Sequence, residues 1–180
     1  MDANKYLDLK QAIIDKGYEA DITWAENVKP PDDAHDFLSE YIFVVCNSGM
    51  KSQIARVIFD KIIVAINNNI PVWLVFKNFH KVNAITHVLG LKNHYFNQYL
   101  EADDTLEFCS TLPYMGDIIK YHLAKNFGYD CVKPDRHLER IAKNYNTNPF
   151  KMCQKVSDIV GDNLNTVDTV IWRAANLRLI

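Results

Sequence analysis

The sequence contains no apolar, uncharged run approaching the ~18 residues that a bilayer-spanning helix needs. Its opening residues, Met1-Asp2-Ala3-Asn4-Lys5-Tyr6, also lack the basic-then-apolar layout of a secretory leader. The expectation is a protein that meets no membrane and stays inside the cell; for a bacterial or phage chain that means the cytoplasm and its nucleoid. Cysteine is scarce: Cys46, Cys109, Cys131 and Cys153 stand too far apart to write a zinc or iron–sulfur framework, so they read as thiols. The six histidines fall at no metal-ligand spacing, and no metal site is expected. With only six glycines there is no Gly-rich loop to cradle a nucleotide phosphate, and no repeat or low-complexity tract appears.

Net charge is also small, at −2, which excludes a uniformly basic nucleic-acid binder. The charge is unevenly placed along the chain, however. Residues 1–40 hold ten acids against four bases (net −6), leaving sixteen bases against twelve acids (net +4) in residues 41–180. A mildly basic body beside an acidic first segment leaves room for a local phosphate-binding patch.

The 180 residues are 48% hydrophobic, enough for one core or for two smaller helical ones. Apolar residues recur at three- and four-residue spacing, as in Phe37, Leu38, Tyr41, Ile42, Val45 and in Ile54, Val57, Ile58, Ile62, Ala65, Ile66. Such spacing predicts helices there and over 5–16, 80–89, 104–112, 117–127, 135–144, 149–160 and 167–177. Gly17, Gly90, Gly128 and Gly161 follow periodic segments, where glycine adopts a left-handed C-terminal cap most easily. Asn148-Pro149 is a start signal: a capping side chain before a proline whose missing N–H is not needed. Residues 70–76 read as a short strand or a buried connector. Residues 18–36, broken by Pro30-Pro31, read as a long connection.

Two segments carry chemistry. In Leu112-Pro113-Tyr114-Met115-Gly116-Asp117 a helix stops at proline, turns around a glycine and starts again. Such a turn aims backbone N–H groups and a helix N-terminus at a phosphate, gripping DNA without reading sequence. Nineteen residues after Gly116 stands Asp135, in Val132-Lys133-Pro134-Asp135-Arg136-His137-Leu138-Glu139-Arg140. Taken alone, an aspartate after proline reads as a helix N-cap, and the turn reads as an ordinary helix connection.

Together, Leu-Pro-x-x-Gly, a helix ending Phe127-Gly128, and Pro-Asp-x-His-x-x-Arg resemble the signature of the endonuclease III-like helix-hairpin-helix DNA glycosylases. The likeness extends more weakly to Phe43–Met50 and to His80–Ile85, covering roughly residues 37–145. It implies an all-α fold of two lobes with a cleft between them. One lobe is a six-helix-type bundle over 37–129; the other combines 1–36 with 130–180 and brings Asp135 to the cleft. The implied activity is hydrolysis of the bond between a damaged or modified base and its sugar in DNA, by a monomer, with Asp135 as the carboxylate that assists. The resemblance also implies a monovalent cation on the hairpin carbonyls, and no other cofactor. Two positions depart from the family pattern. Tyr114 stands where glycine is usual, and Asp117-Ile118-Ile119 stand where members that also cut the backbone carry a lysine. The reading is therefore a monofunctional enzyme, with Lys120 the amine that would make it a lyase.

The chemistry suits those parts. Breaking an N-glycosidic bond builds positive charge on the sugar, which a fixed carboxylate stabilises, or the same group takes a proton from attacking water. Lys133, Arg136 and a helix N-terminus around Asp135 favour the carboxylate form. The base must leave the duplex, so Met50 and Phe79 or His80 are candidates to fill the gap. Tyr114, Met115, Gly116, Lys51, Lys81, Lys120 and Lys125 are candidate DNA contacts. Trp24, Tyr41, Phe43, Tyr121, His137, Asp168 and Trp172 are candidates to line a base pocket, His137 by supporting the loop. Two rival readings use the same residues: a DNA-binding module in which Asp135 is only a cap, and an enzyme that alters a modified base without excising it.

Overall fold

A computed structural model describes all 180 residues as twelve helices with no strand. The all-α expectation holds. None of these helices is long and apolar enough to cross a membrane. In order they are α1 (Ala3–Asp15), α2 (Glu19–Asn27), α3 (Ala34–Asn47), α4 (Ser52–Asn67), α5 (Val72–Val75), α6 (Phe79–Gly90), α7 (Lys92–Glu101), α8 (Thr105–Thr111), α9 (Ile119–Asn126), α10 (Arg136–Asn144), α11 (Pro149–Val160) and α12 (Leu164–Asn176). They form two units, Met1–Lys29 with Gly128–Ile180, and Pro30–Phe127. Residues 30–36, read from sequence as part of the lobe that holds 130–180, belong instead to the Pro30–Phe127 unit, and residues 128 and 129 go with the other one. Asp33 caps α3 by accepting from the N–H groups of His35 and Asp36.

In the Pro30–Phe127 unit, α3 is the central helix and packs against α4, α6, α7 and α9. Its apolar residues cover a wide face, and Phe37, Leu38, Tyr41, Ile42, Val44, Val45 and Cys46 are all buried. A strip through Asp36, Ser39, Glu40 and Asn47 is polar and not buried, and so wide an apolar face has to be enclosed. The Phe37 ring meets Phe96, Tyr99, Phe108 and Phe127 at centroid distances of 5.1 to 6.1 Å. In the other unit α12 is central, touching α1, α2, α10 and α11, with Val167, Val170, Ile171 and Ala174 fully buried beside Tyr6 and Ile13.

Three expectations fail. The supposed connection over 18–36 contains α2, whose only buried residues are Ile22 and Ala25. It is docked by Arg173, whose Nε bonds Asp21 at 2.5 Å while its guanidinium lies 4.5 Å from the Tyr18 ring. Residues 72–75 form one helical turn rather than a strand. Gly90 is the last residue of α6 without a left-handed conformation, because α7 begins two residues later; Gly17, Gly128 and Gly161 do have positive φ.

Candidate functional site

The turn between α8 and α9 differs from the sequence picture in which residue bends. Tyr114, not Gly116, takes the left-handed conformation, with φ of +69°, which is uncommon for a bulky side chain. The position where the resembled family uses glycine therefore keeps a glycine-like backbone although it carries tyrosine. Tyr41, expected near a base, is fully buried and instead donates its hydroxyl to the Pro113 carbonyl at 2.8 Å, pinning the turn to α3. Met115 N–H donates to Leu112 O and Gly116 N–H to Tyr114 O, each at 3.2 Å, and the Met115 side chain is buried. Both N–H groups are thus used within the turn, while Gly116 itself stays exposed. The open amides lie one step later: the N–H groups of Asp117 and Ile118, exposed at the start of α9, donate to no backbone carbonyl.

The carbonyls of Leu112, Pro113, Tyr114 and Gly116 each accept one bond from the chain, leaving each a second lone pair.

Asp135 lies in the other unit, as the N-cap of α10. Its Oδ1 accepts from His137 N–H at 2.8 Å and Leu138 N–H at 3.2 Å, while Oδ2 takes no hydrogen bond from the chain. The side chain is half-buried rather than sealed inside. Its loop is held from behind by Asp168, buried on α12, whose Oδ2 accepts the Lys133 N–H at 2.7 Å. Asp135 N–H in turn donates to Lys133 O at 2.8 Å. Asp168 is a candidate from sequence to line a base pocket. It is 2% exposed and anchors the loop backbone instead.

No family model, curated protein or solved structure matches this chain. The likeness to glycosylases therefore stands on the motif residues alone.

Two lysines expected on DNA are buried. Lys81 is 3% exposed, and its Nζ donates to Cys46 O at 3.0 Å and Ser48 O at 2.6 Å, satisfying carbonyls at the C-terminal end of α3. Burial lowers its pKa, opposed in part by the neighbouring Cys46 thiol, and also pushes that thiol up to about 11. Lys125 is likewise buried. Lys51 is exposed at the start of α4, and Lys120 is half-buried with Nζ 5.6 Å from the Tyr121 ring. Met50, half-buried, follows Gly49, whose φ of +68° makes the bend there; His80 is exposed with its ring edge-on to Phe79.

The expected pocket residues divide between the units. Phe43 and Tyr121 lie in one; Trp24, His137, Asp168 and Trp172 lie in the other. Phe43 is covered by the Arg56 guanidinium at 4.4 Å and by the edge of Phe59. Trp172 packs under Arg173 at 4.9 Å, whereas Trp24 is 43% exposed. His137 supports its loop through its backbone N–H rather than its ring. Sequence reasoning missed the Glu40–Asn126–Arg56 cluster beside Phe43. There Asn126 Nδ2 donates to Glu40 Oε2 at 2.7 Å, and Arg56, lying over Phe43, acts on the Glu40 charge. These residues come from α3, α4 and α9, so no local motif could have announced them.

Proposed function

We propose that the protein is a DNA glycosylase in which Asp135 assists hydrolysis of the bond between a modified base and its sugar. The observation that carries this reading is the division of labour within one carboxylate. Oδ1 is immobilised by two N–H groups of α10, and Oδ2, on a residue that is itself half-buried, takes no hydrogen bond from the chain. A carboxylate held on one side and open on the other can face a sugar as positive charge grows there, or take a proton from the attacking water, without first being reorganised. The helix N-terminus and Asp168 behind the loop fix its place. The phosphate grip falls to the open amides of Asp117 and Ile118 at the start of α9, with Lys120 offsetting the Asp117 carboxylate and Lys51 adding charge.

Asp135→Asn is the informative variant because asparagine caps helices as well as aspartate does. On duplexes carrying modified bases, it should release free base about 10²-fold more slowly or worse while binding DNA as the wild type does. Base release at the wild-type rate would defeat the proposal. Borohydride should trap no covalent complex in the same assay, since no amine nucleophile is assigned; trapping that Lys120→Ala abolishes would make the enzyme a lyase.

A second reading is favoured by the cap bonds themselves. They give Asp135 a sufficient structural role in a protein that only binds DNA. Absence of free base from every duplex, with DNA binding retained, selects it.

A further inference from the structure

A groove of about 640 Å³ opens on the Pro30–Phe127 unit where α5 leads into α6. Trp73 and Phe79 stand at its wall with 58% and 70% of their surfaces exposed, beside Lys77, Asn83, Thr86 and His87. Large aromatics left this open mark a contact surface, since water gains nothing by wetting them. The polar residues decide what kind of contact it is. There is a lysine, an amide, a hydroxyl and an imidazole, and no carboxylate among the lining residues. The Lys77 Nζ donates one bond to Trp73 O at 2.8 Å and lies 5.6 Å from the Trp73 ring, so its remaining donors stay available at the aromatic edge. A second groove on the same unit, about 570 Å³, is lined by Asp103, Asp104 and Glu107 and would repel a phosphate.

We infer that the Trp73–Phe79 groove binds an unstacked nucleobase of a single-stranded nucleic acid. Aromatic faces stack on any base, the Asn83 amide and Thr86 hydroxyl match a base edge, and Lys77 meets the adjoining phosphate. The volume is within the range of small-ligand sites and exceeds what one base fills. A cation with no carboxylate among the lining residues favours a ligand that carries phosphate beside its ring. The inference goes beyond the glycosylase reading and does not rest on it.

Fluorescence polarisation of a labelled oligothymidylate of about twelve nucleotides, with the full chain, tests it. Trp73→Ala and Phe79→Ala should each weaken binding about tenfold or more. Trp73→Phe, which keeps an aromatic face, should restore most of the loss. Lys77→Ala should weaken binding less and reduce the salt slope by about one. A base-free sugar–phosphate oligomer of the same length should bind the wild type as weakly as the thymidylate binds Trp73→Ala. Asp135→Asn should bind as the wild type does, which separates this inference from the fate of the glycosylase reading. Both alanine changes are at exposed side chains, and circular dichroism checks that the helices persist. Equal binding of the base-free and thymidylate oligomers, or unchanged binding by both alanine variants, overturns the inference. So does self-association of the wild type without oligonucleotide, seen by sedimentation and lost in Trp73→Ala, which would assign the groove to a second copy of the chain.

Discussion

Lys51 and Lys81 look alike in the sequence, each at a junction between a loop and a helix, yet one is exposed and the other buried against carbonyls of Cys46 and Ser48. A long cationic side chain turns inward only where acceptors compensate its desolvation, and the unsatisfied end of α3 supplies them. Glu40 shows the opposite balance. Burial raises its pKa, with Asn126 and Arg56 opposing the rise and Asp36 adding to it. The folded protein therefore holds that proton to higher pH than the unfolded chain does. Its contribution favours folding below the ordinary carboxylate range and is lost as pH rises through the raised value. Glu40→Gln keeps the size and a hydrogen-bonding group while removing the buried charge. It should stabilise the protein at pH 7 by on the order of 1 kcal/mol and leave stability near pH 4 almost unchanged. Urea unfolding of both proteins at the two pH values measures this; a destabilised Gln variant at pH 7 would show that the charged pair with Arg56 outweighs the burial.

Helix α10 ties stability to the proposed site, because Asp135 is both its cap and the carboxylate of interest. The two roles separate by substitution. Asp135→Ala removes the cap and should lower stability by about 1 kcal/mol, whereas Asp135→Asn should unfold at nearly the wild-type urea concentration. If the Ala variant is as stable as the wild type, the Oδ1 bonds contribute nothing and the immobilised-carboxylate argument fails with them. Elements with a local signature were legible: α11 begins at the Pro149 marked by Asn148 and ends before Gly161, which has φ of +81°. Helices α2 and α7 were not. The first buries only two residues, and the second buries none fully, relying on Phe96 and Tyr99 against Phe37. Periodicity reports a wide apolar stripe, and neither helix has one.

At the scale of the whole chain, the basic body read from residues 41–180 dissolves when charge is counted by unit. Residues 30–127 carry ten acids and eight bases, net −2; the remaining residues carry twelve of each. Lys81 and Lys125 are also withdrawn into the interior. Any grip on DNA must then be local and involve few phosphates. For two to four of them, log K against log salt should fall with a slope of about −2 to −4, measured by filter binding or polarisation on duplex DNA. A slope near −8 would mean a broad basic face that this chain does not have. The sequence by itself determined the helical class, most helix boundaries and the placing of Asp135 at a helix start, because spacing, capping and proline act over a few residues. Only tertiary structure decided which lysines are buried, that Asp168 anchors a loop backbone, that Tyr114 rather than Gly116 makes the turn, and that Trp73 and Phe79 stay open. Those outcomes depend on which distant backbone groups need a partner and which side chains find a neighbour, and that information exists only once the chain has packed.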